Sequence, residues 1–181
     1  LIFVPHITPH MKENNLNIQM VDLKSQYLRI KDEVDSAVYD VINSTQFING
    51  SHVKEFQSEL ASYMGVKHVI TCGNGTDALQ ISMMAIGLQP GDEVITPSFT
   101  YIATTEVIAL LGLKPVFVDC DRDNFNISVK EIEKAITSKT KAIVPVHLFG
   151  QSCNMKAIKE IAVNHNLFII EDNAQAIGCT Y

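Results

Sequence analysis

Between positions 67 and 170 the apolar residues fall into short unbroken runs, and after each run they recur at three- and four-residue steps. The runs cover 68–72, 93–96, 115–119, 142–146 and 167–170. The stepped stretches cover 76–86, 103–111, 129–136 and 155–164, the spacing of amphipathic helices. A strand that is apolar throughout, instead of alternating with polar residues, is buried on both faces. Repeated strand–helix units of this kind predict an α/β fold, a mostly parallel sheet between two helical layers. Ser128 followed by Glu131 is a capping box that sets the start of the third helix.

The amino-terminal part follows a different pattern. Tyr27, Ile30, Val34, Val38, Val41 and Ile42 predict one amphipathic helix ending near Ser44 and Thr45. Asn49-Gly50 predicts a turn. A second helix carries Val53, Phe56, Leu60, Tyr63 and Met64 on one face and stops at Gly65 in a left-handed conformation. Residues 1–10, before Met11, hold no basic segment and read as an upstream extension, leaving 11–181 as one domain.

Composition narrows the classes. With 46% hydrophobic and 19% charged residues in 181, the chain reads as a globular protein with a sizeable core. The longest apolar stretch, 107–113, is too short to cross a bilayer, so no membrane partner is expected. A net charge of −6 without clustered Lys or Arg argues against nucleic acid, although backbone amides could still hold a small anion. Cys72, Cys120, Cys153 and Cys179 stand singly, as reduced thiols rather than a zinc or redox motif, which suits the cytoplasm.

In open parallel sheets ligands bind beyond the carboxyl ends of the strands, and three candidate elements lie there. The first is the turn Cys72-Gly73-Asn74-Gly75-Thr76-Asp77, where Gly75, Thr76 and the amide of Asp77 open a helix suited to a phosphate. The Asp77 carboxylate would repel that phosphate, so its side chain is expected to point away. A glycine-bearing turn with an ordinary Thr or Asp cap is the plainer alternative. Ala78 stands where a dinucleotide fingerprint would have its third glycine. The second element is the turn after 93–96, where Phe99 or Tyr101 could lie against a planar ligand or simply pack in the core. The third is Asp172. A carboxylate closing a buried run needs water or a partner, and beside a pyridine-type nitrogen it would favour the protonated ring, the electron sink of pyridoxal phosphate. Glu171 should face the opposite side.

Five ordered segments, NGTDAL (74–79), GDEVITPSFTYIAT (91–104), VFVDCD (116–121), KTKAIVPVHLFGQ (139–151) and EDNAQAIG (171–178), closely resemble the DegT/StrS-type sugar aminotransferases. The resemblance covers almost everything after Met11. It implies the large domain of a fold-type I transferase with pyridoxal 5'-phosphate as cofactor. It further implies a nucleotide-linked ketosugar and glutamate as substrates, a homodimer, and a role in amino-sugar or polysaccharide biosynthesis. By position it gives Thr76 and the Asp77 amide to the cofactor phosphate, Tyr101 to ring stacking, Asp172 to the pyridine nitrogen and Gln175 to the ring hydroxyl. The family's Schiff-base lysine follows the last motif, beyond Tyr181, together with a smaller domain. Lys114, Lys139 and Lys141 are expected on the wrong edge of the sheet. The 181-residue polypeptide alone is therefore expected to be an inactive fragment that folds poorly. A dehydratase of the same family, with histidine in place of that lysine, is one alternative. A phosphate-binding or regulatory module without chemistry is another.

Overall fold

The computed structural model describes residues 21–181; the expected extension at 1–10 lies outside them. The chain divides into two compact units between Phe56 and Gln57. In the first, Asp22 caps helix α1 (Leu23–Arg29) by accepting from the Ser25 amide at 3.0 Å. Helix α2 (Lys31–Ser44) ends at Thr45, which adopts a left-handed conformation (φ 55°). The single helix expected from Tyr27 onward is thus two. Ile30 leaves the helical region at φ −119° and its amide turns back to the Tyr27 carbonyl. Across the break the Tyr27 hydroxyl donates to Asp35, which also pairs with Lys31. Helix α3 (Ser51–Met64) straddles the unit boundary and stops, as expected, at left-handed Gly65 (φ 65°).

The second unit contains helix α4 (Gly75–Ala85), strand β1 (Glu93–Pro97), helix α5 (Ala103–Leu110) and strand β2 (Lys114–Val118). Helix α6 (Val129–Ala135), strand β3 (Thr140–Ile143), helix α7 (Met155–His165) and strand β4 (Phe168–Ile169) complete it. All strand pairs are parallel, in the order β2-β1-β3-β4. Every residue of β1 is buried, as a strand covered on both faces requires. Alternate residues feed two cores. Val94, Ala142 and Val144 pack with Leu79 and Met83 of α4 and Val107 and Ile108 of α5. Ile95 and Ile143 pack with Ile132 of α6 and Ile158 of α7.

The two cores explain where a ligand can bind. From β1 the chain passes through α5 to one neighbour, then returns through α6 past β1 to β3 on the other side. Right-handed crossovers in opposite directions require helices on opposite faces. The winding therefore reverses between β1 and β3, the place in an open parallel sheet where ligands bind.

Several expectations need correction. The run 68–72 forms no strand, because no described neighbour offers it a ladder and Ile70 is left 80% exposed. Strand β3 stops at Ile143, before the expected 146. Pro145 has no amide to donate, and Val146 meets Asp172 only as an isolated bridge. The capping box at α6 does not form. Glu131 bonds Lys134 instead, while the Ser128 carbonyl accepts from the amides of Glu131 and Ile132. The helix still begins at Val129.

Candidate active site

The first turn is built around Asn74. Its backbone is extended and its Oδ1 accepts from the Asp77 amide at 2.9 Å, so Asn74, rather than Thr76 or Asp77, is the cap of α4. The Asp77 carboxylate does not point away. It folds back to accept from Asn74 Nδ2 at 3.1 Å and lies over Gly73, where a Cβ would stand 2.7 Å from Oδ2. A side chain at Gly73 would therefore displace the Asp77 carboxylate from this position, whereas a Cβ on Gly75 would meet nothing within 4 Å. The amides of Gly75 and Thr76 and the Thr76 hydroxyl have no acceptor among the described residues. These amides lie at the positive end of an 11-residue helix.

Asp172 lies beyond the end of β4, held from three directions. Its amide donates to the Pro145 carbonyl (2.9 Å) and its carbonyl accepts from the His147 amide (3.1 Å), which ties it to the loop after β3. Oδ2 accepts from the Thr104 hydroxyl at 2.8 Å, and Oδ1 accepts a longer bond from the Ala174 amide at 3.3 Å. The partner this carboxylate needs is therefore Thr104, in the first turn of α5 and fully buried. Oδ1 keeps room for a second donor. Glu171 faces the other way, as the two-residue period predicts, and its carboxylate meets His147 Nε2 at 2.9 Å.

The second turn separates the two aromatic candidates. Phe99 is engaged with Phe125, their ring centroids 5.9 Å apart and their planes 51° to each other. These two rings line a hollow of about 460 Å³ with Asp119, Cys120, Asp121 and Arg122. Tyr101 is 76% exposed and makes no aromatic contact among the described residues, whereas Phe99, 51% exposed, shares its ring with Phe125. Gln175 accepts from the Phe149 amide at 2.6 Å through Oε1, which leaves its amide nitrogen as a donor. Lys114 and Lys141 lie at the beginnings of β2 and β3, the edge away from Asp172, and Lys114 is paired with Glu93.

Two buried groups behind Asp172 escaped the sequence reading. His147 accepts from the Cys153 amide through Nδ1 at 3.1 Å, so its proton sits on Nε2 and is donated to Glu171. The Cys153 thiol, pushed up to about 11 by burial, donates to the Val146 carbonyl and is no nucleophile. His147 follows an apolar run just as Asp172 does, and that signal could have found it. Thr104 offered only a hydroxyl in a helix that is otherwise apolar on its inner face.

A helix start with unpaired amides, an exposed aromatic ring and a half-buried carboxylate thus lie toward the carboxyl edge of one parallel sheet. This fold and site define a doubly wound α/β domain whose polar groups with unused bonding capacity gather on one side. Residues 28–181 match the DegT/DnrJ/EryC1/StrS aminotransferase family, and the chain belongs to it. It is 50% identical over 164 residues to the UDP-2-acetamido-2-deoxy-3-oxo-D-glucuronate aminotransferase of Pseudomonas aeruginosa, a match covering 91% of this chain and 46% of that protein. It is equally 50% identical, over 166 residues, to a pleiotropic regulatory protein of Geobacillus stearothermophilus, covering 92% of this chain and 45% of that one. Among solved structures it is similar to NtdA of Bacillus subtilis with its bound cofactor PMP. There the TM-score is 0.80 at 39% identity, over 82% of this chain and 35% of that one. The chain spans about half the length of the curated relatives it matches. Its fold is that of the large domain of the type I pyridoxal-phosphate-dependent transferases.

Proposed function

We propose that the intact protein is a pyridoxal-phosphate-dependent aminotransferase that moves an amino group from glutamate to a nucleotide-linked ketosugar, as part of amino-sugar biosynthesis. The observation that carries this reading is the Asp172 carboxylate, fixed through Oδ2 by buried Thr104 while Oδ1 keeps room for a donor. An immobile carboxylate of this kind suits a protonated ring nitrogen. The same edge supplies the rest of the donor set: the Gly75 and Thr76 amides and the Thr76 hydroxyl for a phosphate, and the exposed face of Tyr101 for the ring. The Gln175 amide nitrogen is available to a ring hydroxyl. The Asp77 amide is occupied by Asn74, and serves a phosphate only after that side chain turns aside.

When bound, pyridoxal phosphate supplies an electron sink for a carbon joined to it through nitrogen. The chain's own residues would orient it and hold a proton on its ring: Asp172 would be the proton's counter-ion, Tyr101 would lie against the ring, and the start of α4 would hold the phosphate. Lys114, Lys139 and Lys141 are too poorly placed to form a Schiff base. In this reading borohydride treatment with pyridoxal phosphate gives no adduct at any of these three lysines. We include in the proposal a cytoplasmic homodimer.

The similarity to a regulatory protein favours one second reading, a cofactor-binding regulator. Glutamate separates the two. Added to the intact protein loaded with pyridoxal phosphate, it replaces the absorbance of the bound pyridoxal form with that of the pyridoxamine form in an aminotransferase, and leaves the absorbance of a mere binder unchanged. Retention of the absorbance would reject the enzymatic reading.

A further inference from the structure

Thr104 has two jobs that no other described residue combines. Its amide approaches the Tyr101 carbonyl at 3.4 Å, closing the turn that presents Tyr101, and its hydroxyl donates to Asp172 Oδ2 at 2.8 Å. Thr104 is fully buried, and among the described residues its hydroxyl's only partner is a carboxylate 68 residues away. A buried hydroxyl with one acceptor points where that acceptor stands, and a carboxylate with one oxygen so engaged cannot rotate about its Cβ–Cγ bond without breaking the contact. The loop after β1 and the chain end after β4 meet at this hydrogen bond. Without it the carboxylate keeps its backbone bridge to the loop after β3, but only the long bond from the Ala174 amide (3.3 Å) still bears on the plane of its two oxygens.

We infer that Thr104 is a positioning residue: its hydroxyl fixes the Asp172 carboxylate plane so that Oδ1 faces the ring nitrogen of the cofactor, in register with Tyr101. This rests on the function proposed above. Removing the hydroxyl leaves Oδ2 without its donor and lets the carboxylate turn. The ring nitrogen then loses a fixed counter-ion even though Asp172 is still present. Thr104 itself touches neither ring nor phosphate.

The test uses the intact protein, titrated with pyridoxal phosphate, with affinity read from absorbance and ring orientation from the induced circular dichroism of the bound cofactor. Thr104→Val keeps the shape and removes the hydroxyl. Thr104→Ser and Thr104→Ala both remove the methyl, and only the second removes the hydroxyl, so their comparison is matched for packing if the valine variant does not fold. Affinity is expected to fall about tenfold in Thr104→Val and Thr104→Ala, the scale of one hydrogen bond to a charged group. The dichroic band per bound cofactor should also weaken or invert, and Thr104→Ser should restore both. A residue that only supports packing would lower the melting temperature of Ser and Ala variants alike and leave the dichroism untouched; that result overturns the inference. Asp172→Asn is the reference. If it loses affinity while the Thr104 variants keep theirs, the positioning role fails alone. If Asp172→Asn also binds normally, the cofactor reading fails with it.

Discussion

The two ends of the sheet are built from similar groups put to different uses. At the amino end Glu93, 4% exposed, accepts from the Thr137 hydroxyl and pairs with Lys114 Nζ at 2.9 Å. Thr137 Oγ1 also accepts from the Lys139 amide, and the Thr137 amide donates to Thr140 Oγ1. Each polar group there is matched to a neighbour, which is what stability asks of buried charge. At the carboxyl end the matching stops short. Asp172 has one strong partner and one long one, the Thr76 hydroxyl has none among the described residues, and Tyr101 is 76% exposed. Groups left with unused donor and acceptor capacity mark the edge that binds, while the saturated edge holds the strands together.

If this contrast is correct, substitutions at the two edges separate binding from stability. The largest effect is expected from Asp172→Asn. Losing a charge-assisted bond to the ring should weaken pyridoxal phosphate by roughly 10- to 100-fold, with little change in the melting temperature of the cofactor-free protein. Equal affinity in the variant would break the contrast. Tyr101→Ala should cost about 1 kcal/mol of stacking, near fivefold in affinity, and isothermal titration can resolve it. Asn74→Ala sharpens the comparison, because it removes the cap of α4 at a cost of about 1 kcal/mol in stability but exposes the Asp77 amide. The melting temperature should drop while phosphate-dependent affinity holds or rises; a parallel loss of both would show that Asn74 itself contacts the ligand.

The smallest effect belongs to the amino edge and depends on pH. The Thr137 hydroxyl, and then Lys114, hold the Glu93 carboxyl below its ordinary value of 4.5. A carboxylate with a lowered folded value contributes stability that is present above 4.5 and fades as the pH falls from there through the folded value. Glu93→Gln should therefore melt at a lower temperature than wild type at neutral pH, with the gap closing on acidification through that window. A gap independent of pH would mean that packing, not ionisation, accounts for the role of Glu93. Ligand affinity at neutral pH should not change.

Patterning reached the fold because burial on two faces leaves a signature in the chain itself. The runs at 93–96 and 115–119 became β1 and β2 within two residues, and the stepped stretches became α4, α5, α6 and α7. Where an element depends on a neighbour, the pattern misleads. Residues 68–72 have strand composition without a ladder, and α2 has an apolar stripe whose Val38 and Ile42 are more than half exposed. The site was legible where a residue breaks the local rule. Asp172 closes a buried run, and that anomaly pointed to it. Thr104 and Asn74 break no rule, since Thr is common near helix starts and Asn is common in turns. Their roles come from a partner 68 residues away in one case and from a side chain folding over Gly73 in the other.

The central claim is that one small cofactor spans from the start of α4 to the Asp172 carboxylate. A crystal structure of the intact protein with pyridoxal phosphate measures it directly. The account predicts phosphate oxygens on the amides of Gly75 and Thr76 and a ring nitrogen about 2.8 Å from Asp172 Oδ1, with Thr104 still on Oδ2. A cofactor whose ring nitrogen points away from Asp172, or whose phosphate sits elsewhere than the start of α4, would contradict it.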